Sequence, residues 1–217
     1  MCIALVSVAA LCSARSQAGT ATVTFSLDFP NSDPEHYTIS VASDGHAHYE
    51  CTARISEASE DRDNYATDFT LKDSTRSRIF QLASEAHYFT RKVDSGNHKL
   101  AFTGSKKLVY ADGARNNSAD YNYSMVPAVQ QLTRLFQGMA ATLEFGRHLV
   151  YMHRYQKLAL DDEMKQMEDE ARAGELEEVQ AVKPILQQIY DDPSVMHIVR
   201  ARALRIIALG DAPPPTR

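Results

Sequence analysis

The chain changes character sharply at Pro127, and this change limits the folds that it can adopt. Up to about Ser124, β-branched and aromatic residues alternate with polar ones and are interrupted by Asp-Gly pairs, which is typical of strands and hairpins. After Pro127 the sequence is rich in Leu, Ala, Met, Gln, Glu and Arg, which favour helices. Strands followed by helices predict an α+β fold in which an antiparallel sheet packs on helices.

The first Asp-Gly pair predicts a hairpin whose register follows from its loop length. Apolar residues alternate with polar ones at residues 37–41 and again at 49–53. A two-residue turn would place the apolar side chains of the two strands on opposite faces. A three-residue loop, Ser43-Asp44-Gly45 with Gly45 in the left-handed conformation, pairs Val41 with Ala47 and keeps one face apolar.

A second hairpin is predicted at Ala111-Asp112-Gly113, between a strand at residues 106–110 and a strand that ends at Tyr121 and Tyr123. A helix follows each hairpin. The first helix comes after a further strand at 65–71 and is expected to begin with Asp73 or Ser74 as its cap. The second begins at Pro127, which suits a first helical turn. We therefore predict two strand-hairpin-helix units whose strands form one antiparallel sheet.

An apolar stripe at steps of three and four residues predicts one long helix over residues 127–160, about 50 Å in length. A sheet of ordinary strand length, roughly 20 Å, cannot cover it. Its far end must therefore pack on later helices, which should form a C-terminal helical hairpin or bundle. The stripe consists of Val129, Leu132, Phe136, Met139, Leu143, Gly146, Val150 and His153.

Three later helices are predicted from start and stop signals. The first covers residues 161–173 and stops at Gly174. The second covers 175–190, with Pro184 as a kink or a restart, and the third covers 192–209. We place an antiparallel-sheet domain at 19–126 and the long helix with a helical extension at 127–209, and we expect the proline-rich residues 210–217 to be disordered.

An apolar run at residues 3–11, followed by Ser16-Gln17-Ala18, indicates a signal peptide over residues 1–18. The mature protein would then begin at Gly19 and act in the periplasm or outside the cell. A retained, buried N-terminal segment and a lipoprotein signal ending at Cys12 are the alternatives. No later segment is apolar enough for a transmembrane helix. After cleavage Cys51 would be the single cysteine, most simply a small buried hydrophobic residue.

The charge of the chain argues against nucleic-acid binding. The formal net charge is −5, and acidic side chains are concentrated at residues 161–178. No basic stripe of the kind that binds phosphate backbones is present in the sequence. We interpret the acidic block as the solvated face of a helix.

One short motif suggests a metal site. His46, His48 and Glu50 alternate along a predicted strand and therefore share one face. Imidazole and carboxylate ligands suit zinc or copper, and His36 or His98 could complete the ligand set. A solvent-exposed polar face that binds no metal requires the same alternation, so it remains an alternative to the metal site.

A second row of polar residues lies on the predicted long helix beside the apolar stripe. Glu144, His148, Tyr151 and Tyr155 share one face and could form an interaction surface. An acid/base pair of Glu144 and His148 is chemically conceivable, but a hydrogen-bonded contact between helices is the simpler explanation. Nearby methionines suit either a soft-metal site or core packing, and we favour packing. They are Met152, Met164 and Met167.

The layout resembles a group of small secreted bacterial domains of unknown function. The resemblance covers residues 29–136 and implies export and an α+β fold, but no activity. Residues 184–211, with an Asp-Pro turn and Val199-Arg200, resemble one HEAT-type helical pair, although an ordinary helical hairpin is the simpler interpretation. The motifs that carry the first resemblance are Pro34-x-x-Tyr37-x-Ile39-x-Val41 with Asp44-Gly45 and Tyr49, Ile79-x-x-Leu82 with Phe89, and Asp112-Gly113 before Pro127 and Leu132.

The familiar catalytic motifs are absent from the sequence: there is no Gly-x-Ser-x-Gly, His-Glu-x-x-His, phosphate-binding glycine loop or Cys-x-x-Cys. We therefore expect an exported, non-enzymatic module that binds another envelope protein through its sheet face and helical arm. An envelope metal-binding protein or hydrolase using the face of His46, His48 and Glu50 is the alternative. Self-association through the long helix is a third hypothesis.

Overall fold

The computed structural model describes residues 20–30, 32–54, 62–97 and 99–212. The predicted signal peptide, His98 and residues 213–217 lie outside the described residues. The fold is α+β, with one six-stranded antiparallel sheet in the order β4-β3-β2-β1-β5-β6. Its strands are β1 (Thr22–Asp28), β2 (His36–Ala42), β3 (His46–Arg54), β4 (Arg62–Thr70), β5 (Ser105–Ala111) and β6 (Asn116–Tyr121).

The predicted register of the first hairpin is confirmed. Val41 pairs with Ala47 and Ile39 with Tyr49, and Gly45 has a φ of 96°. This positive φ is strained for other residues, so glycine closes the three-residue loop at little cost. The second hairpin loop is one residue longer than the first, since Ala111 pairs with Asn116.

Strand β1 is the centre of the sheet, although the sequence analysis did not single it out. It pairs with β2 on one side and with β5 on the other, and so joins the two strand-hairpin-helix units. Its side chains alternate between a buried and a polar face, as do those of its neighbours. The buried face of β1, β2, β3 and β5 consists of Val23, Phe25, Leu27, Tyr37, Ile39, Val41, Ala47, Tyr49, Cys51, Ala53, Leu108 and Tyr110, with Lys106.

Two helices cover that face, α1 (Asp73–Glu85) and α2 (Pro127–Tyr155). Helix α1 buries Ile79, Leu82 and Ala83. The prediction of Asp73 or Ser74 as its cap was wrong, because the helix follows Lys72 without a side-chain cap. Instead, the Lys72 backbone N–H donates to Glu178 Oε2 at 2.9 Å. A carboxylate from the helical extension thus accepts a hydrogen bond from the backbone at the start of α1.

Helix α2 begins at Pro127 as predicted but ends at Tyr155, five residues before the predicted end. The predicted stripe is buried as far as Gly146, whereas Val150 is 56% exposed. Leu149 is buried in its place. As predicted, α2 packs on later helices as well as on the sheet.

The helical extension consists of α3 (Leu160–Ala173), a 3-10 helix (Val179–Val182), α4 (Lys183–Asp191) and α5 (His197–Asp211). Gly174 ends α3 with a φ of 72°, and Pro184 restarts the chain as α4 rather than kinking a longer helix. Helices α4 and α5 form a hairpin that packs on α2 and α3. Helix α5 continues through Asp211, so the first residues of the predicted tail are helical.

Gly146 permits a close approach between α2 and the 3-10 helix. A Cβ at this position would collide with Cγ1 of Val182. Buried residues of the sheet, of α1 and α2 and of the extension belong to one hydrophobic cluster. Met164 and Met167 are fully buried and Met152 packs at its edge, which confirms the interpretation of these methionines as core residues. Within the described residues, no helix has the length and apolar character needed to cross a bilayer.

The acidic block is not entirely a solvated face, and that interpretation was wrong for two residues, Glu168 and Glu178. Glu168 is only 3% exposed. It binds Arg172 of its own helix and Arg202 and Arg205 of α5. The hydrogen bond from Arg205 holds the pKa of Glu168 below its usual range. This buried carboxylate joins α3 to α5.

Candidate functional site

The face of the sheet opposite the helices is polar and open to solvent along all six strands. Hydroxyl groups form rows across its centre: Thr24 Oγ1 lies 3.0 Å from Ser40 Oγ, and Ser26 Oγ lies 3.1 Å from Thr38 Oγ1. Because an antiparallel sheet needs only one buried face, this surface is free to carry function. We take it as the candidate functional site and call it the open sheet face.

The predicted metal ligands lie on the open sheet face. His46, His48 and Glu50 are all exposed on β3, as the hairpin register requires. Their arrangement does not gather a complete ligand set: within the described residues, no group of three His, Cys, Asp or Glu side chains is close enough to hold a metal ion. His36 is engaged by Asp28 at 2.6 Å. Zinc or copper binding here stays a prediction that the geometry does not favour.

His48 has a partner that the sequence analysis missed. Its Nδ1 donates to Oδ1 of Asp68 on β4 at 2.7 Å. Asp68 is directly opposite His48 in the sheet, and Ser40 of β2 is opposite it on the other side. Ser40, His48 and Asp68 therefore form one row across three neighbouring strands. The alternation of polar and apolar residues along β4 indicates which face of the sheet carries Asp68. Only the register of β3 and β4 reveals that Asp68 lies opposite His48.

A shallow concavity of about 450 Å³ lies over this row. It lies above the strands rather than between layers, so a bound molecule would stay in contact with solvent. Hydroxyl, imidazole and carboxylate groups can exchange hydrogen bonds with a polar ligand or with the surface of a protein. The concavity is lined by Thr22, Ser40, Ala42, His46, Ala47, His48 and Asp68.

The second predicted site, on α2, is divided between the interior and the surface. Glu144 is buried against the sheet, while His148 Nδ1 donates to Glu163 of α3 at 2.9 Å. That bond is the contact between helices that the sequence analysis favoured. Tyr151 and Tyr155 contact each other with ring centroids 5.2 Å apart, and Tyr155 is 62% exposed. Only the tyrosine end of the row is therefore available as an interaction face.

Glu144 is the centre of a buried polar cluster between α2 and β3. Its Oε1 accepts hydrogen bonds from the Tyr49 hydroxyl at 2.7 Å and from the Cys51 thiol at 3.3 Å. Its Oε2 accepts bonds from Nε and Nη2 of Arg147 at 2.9 and 2.7 Å. Arg147 in turn donates to His148 Nε2 at 3.0 Å. This cluster ties the sheet to the helix.

Burial beside Glu144 keeps the Cys51 thiol and the Tyr49 hydroxyl protonated. Burial and the charge of Glu144 raise the pKa of Cys51 to about 12, and the same two causes raise the pKa of Tyr49 further above its usual range. A thiol with so high a pKa is a poor nucleophile at neutral pH. Cys51 is thus a buried structural residue, as predicted, with the addition that its S–H is hydrogen bonded.

Comparison with protein-family models and with curated proteins finds no match. The function must therefore be inferred from the residues and the geometry described above.

Proposed function

We propose that this chain is an exported protein that binds another protein of the cell envelope through the open sheet face. The observation that carries the proposal is the row of hydroxyl, imidazole and carboxylate groups that crosses the face uncovered and lines its concavity. Export rests on the signal-peptide pattern of residues 1–18. The absence of the familiar catalytic motifs from the sequence favours a binding function over catalysis.

The open sheet face has a suitable size for a protein interface. Six strands spaced about 4.8 Å apart, each of about seven residues, give a surface of roughly 550 Å². A standard interface buries about 800 Å² on each partner, and transient complexes bury less.

Photo-crosslinking tests the proposal in the cell. A photoreactive amino acid at Ser40, in the centre of the face, should crosslink a discrete partner when the chain is produced with its own N-terminal segment. The same amino acid at Gln81, exposed on the outer side of α1, serves as the matched control and should not.

The captured partner must then bind the purified protein. Ser40→Arg places a long charged side chain in the centre of the interface and should weaken binding roughly tenfold or more. Gln81→Arg should leave the affinity unchanged. Equal crosslinking from both positions, or an affinity that Ser40→Arg does not alter, would show that the open sheet face is not the binding surface.

The row of Ser40, His48 and Asp68 favours a second candidate function, hydrolysis of an ester. Asp68 holds Nδ1 of His48, which leaves Nε2 free to accept the proton of Ser40 as its Oγ attacks a carbonyl. Ser40 Oγ is instead 3.0 Å from Thr24 Oγ1 in this structure. The strand amides are engaged in the sheet, so side chains would have to stabilise the oxyanion, and we expect slow turnover.

A fluorophosphonate probe distinguishes this candidate from simple binding. If the protein is a hydrolase, the probe should label Ser40 covalently. Ser40→Ala should abolish this labelling, and His48→Ala should lower its rate at least about a hundredfold. His36→Ala, which changes an imidazole of the same sheet face that neither belongs to the row nor lines the concavity, should label normally. No labelling, or labelling that persists in Ser40→Ala, would eliminate the hydrolase.

A further inference from the structure

A second concavity, of about 340 Å³, lies on the helix-covered side of the sheet, away from the open sheet face. It is formed where the end of β6 meets the first turns of α2. Every side chain that lines it is polar or aromatic, and none is acidic. The lining consists of Thr103, Lys106, Tyr121, Asn122, Tyr123, Ser124, Gln130, Thr133, Arg134 and Gln137.

Lys106 places a buried positive charge in the wall of this concavity. The residue is 5% exposed. Its Nζ donates to the Thr103 carbonyl and hydroxyl at 2.9 Å, to the Asn122 carbonyl at 3.1 Å and to the Gly104 carbonyl at 3.3 Å. All four acceptors are neutral, and no carboxylate of the described residues forms an ion pair with it. A buried ammonium group without a counter-ion is costly and is usually paired.

Burial lowers the pKa of Lys106. An anion beside Nζ would reverse that effect, because an opposite charge favours the charged form. The longest of the four contacts, to Gly104, is the one that such an anion would replace.

Arg134 supplies a second cation at the same concavity. Its side chain is exposed on α2 and forms no ion pair or hydrogen bond within the part of the chain that the structure describes. It also lines an adjoining groove of about 600 Å³ that carries both charges, with Arg78 as a second cation and Glu170, Glu175 and Glu177 as its acidic residues. A guanidinium group presents paired N–H donors that match the two oxygens of a carboxylate.

Neutral hydrogen-bonding groups complete the wall. The Tyr121 hydroxyl lies 2.6 Å from Thr133 Oγ1, and Gln130 Nε2 donates to the Tyr123 hydroxyl at 3.1 Å. These groups, with the side chain of Gln137, can bind hydroxyl or amide groups of a ligand. We propose that this concavity is a binding site for a small carboxylate compound, with its anionic group held between Lys106 and Arg134.

Calorimetric titration of the full chain with malonate tests the proposal, with acetate and inorganic phosphate as parallel probes. Malonate should bind one site, and Arg134→Gln should weaken it roughly tenfold or more, because a charge-assisted pair of hydrogen bonds is lost. Arg134 is exposed and unpaired among the described residues, so this variant should fold normally. Lys106→Met should weaken binding at least as much if it folds.

Lys107→Gln is the matched control. Lys107 is the next residue of β5, lies on the other face of the sheet and approaches Asp120 at 3.9 Å, so its replacement should leave malonate affinity unchanged. Absence of malonate binding at about 10 mM, or an affinity that Arg134→Gln does not change, would overturn the proposal. Binding of phosphate without malonate would overturn the assignment to carboxylates. None of these results depends on the open sheet face.

Discussion

Glu144→Ala is expected to lower the free energy of unfolding by about 3 kcal/mol, because it leaves the buried guanidinium of Arg147 without its principal partner. The Glu144 and Arg147 side chains are 12% and 14% exposed, and their closest N–O distance is 2.7 Å. The substitution also removes the acceptor of the Tyr49 hydroxyl and the Cys51 thiol. Urea denaturation followed by circular dichroism gives the change.

Two further variants separate the ion pair from general damage. Glu144→Leu combined with Arg147→Leu removes both charges, and it should be less destabilising than Glu144→Ala because no unpaired charge remains. Glu50→Ala removes an exposed carboxylate from the opposite face of the same sheet and should change stability by less than about 0.5 kcal/mol. If the double variant proved the least stable of all, the buried pair would be a net source of stability, contrary to this expectation.

Phe136→Ala is expected to destabilise the protein by about 4 kcal/mol, since it opens a cavity between the sheet and α2. Phe136 is fully buried and stacks on Phe25 of β1, with ring centroids 5.3 Å apart and planes inclined by 11°. Aromatic stacking adds to the loss of buried area. Thermal and urea unfolding measure the change, with Leu158→Ala, at a residue 84% exposed, as the control.

The same experiment tests the predicted division into a sheet domain at 19–126 and a long helix with its helical extension at 127–209. One hydrophobic cluster contains buried residues of both parts. We therefore expect Phe136→Ala to shift a single cooperative transition. Two separate transitions, of which only one moved, would instead establish two independently stable domains.

Local signals in the sequence were sufficient for much of the fold. The hairpin register followed from Gly45 and from the alternation around it, because turn geometry and strand period act over a few neighbouring residues. The start of α2 at Pro127 and the end of α3 at Gly174 followed from equally local backbone preferences. These features needed no knowledge of distant parts of the chain.

Features that depend on distant contacts were missed. The cap of α1 comes from Glu178, more than a hundred residues later. Near the end of α2, Lys157 and His153 both bind Asp192, at 2.6 and 2.9 Å. The hydrogen bond from Lys157 holds the pKa of Asp192 well below its usual range. No periodicity within a helix can reveal partners of this kind.

The candidate sites divide in the same way. Alternation along β3 placed His46, His48 and Glu50 on one face, but the pairing of His48 with Ser40 and Asp68 depends on how three strands align. The sequence also grouped Glu144 with Tyr155, although one is buried under the sheet and the other faces solvent. A helical face predicts which side chains are neighbours, not what covers them.

The sequence by itself determined the class of fold, the two strand-hairpin-helix units and the polar character of one sheet face, because each depends on local propensity and side-chain period. Only the tertiary structure decided that β1 joins the two units at the centre of the sheet. It alone also revealed that Glu144 is buried and that Lys106 and Arg134 line one concavity. The physical reason is that burial and ionic pairing are set by which distant segments pack together.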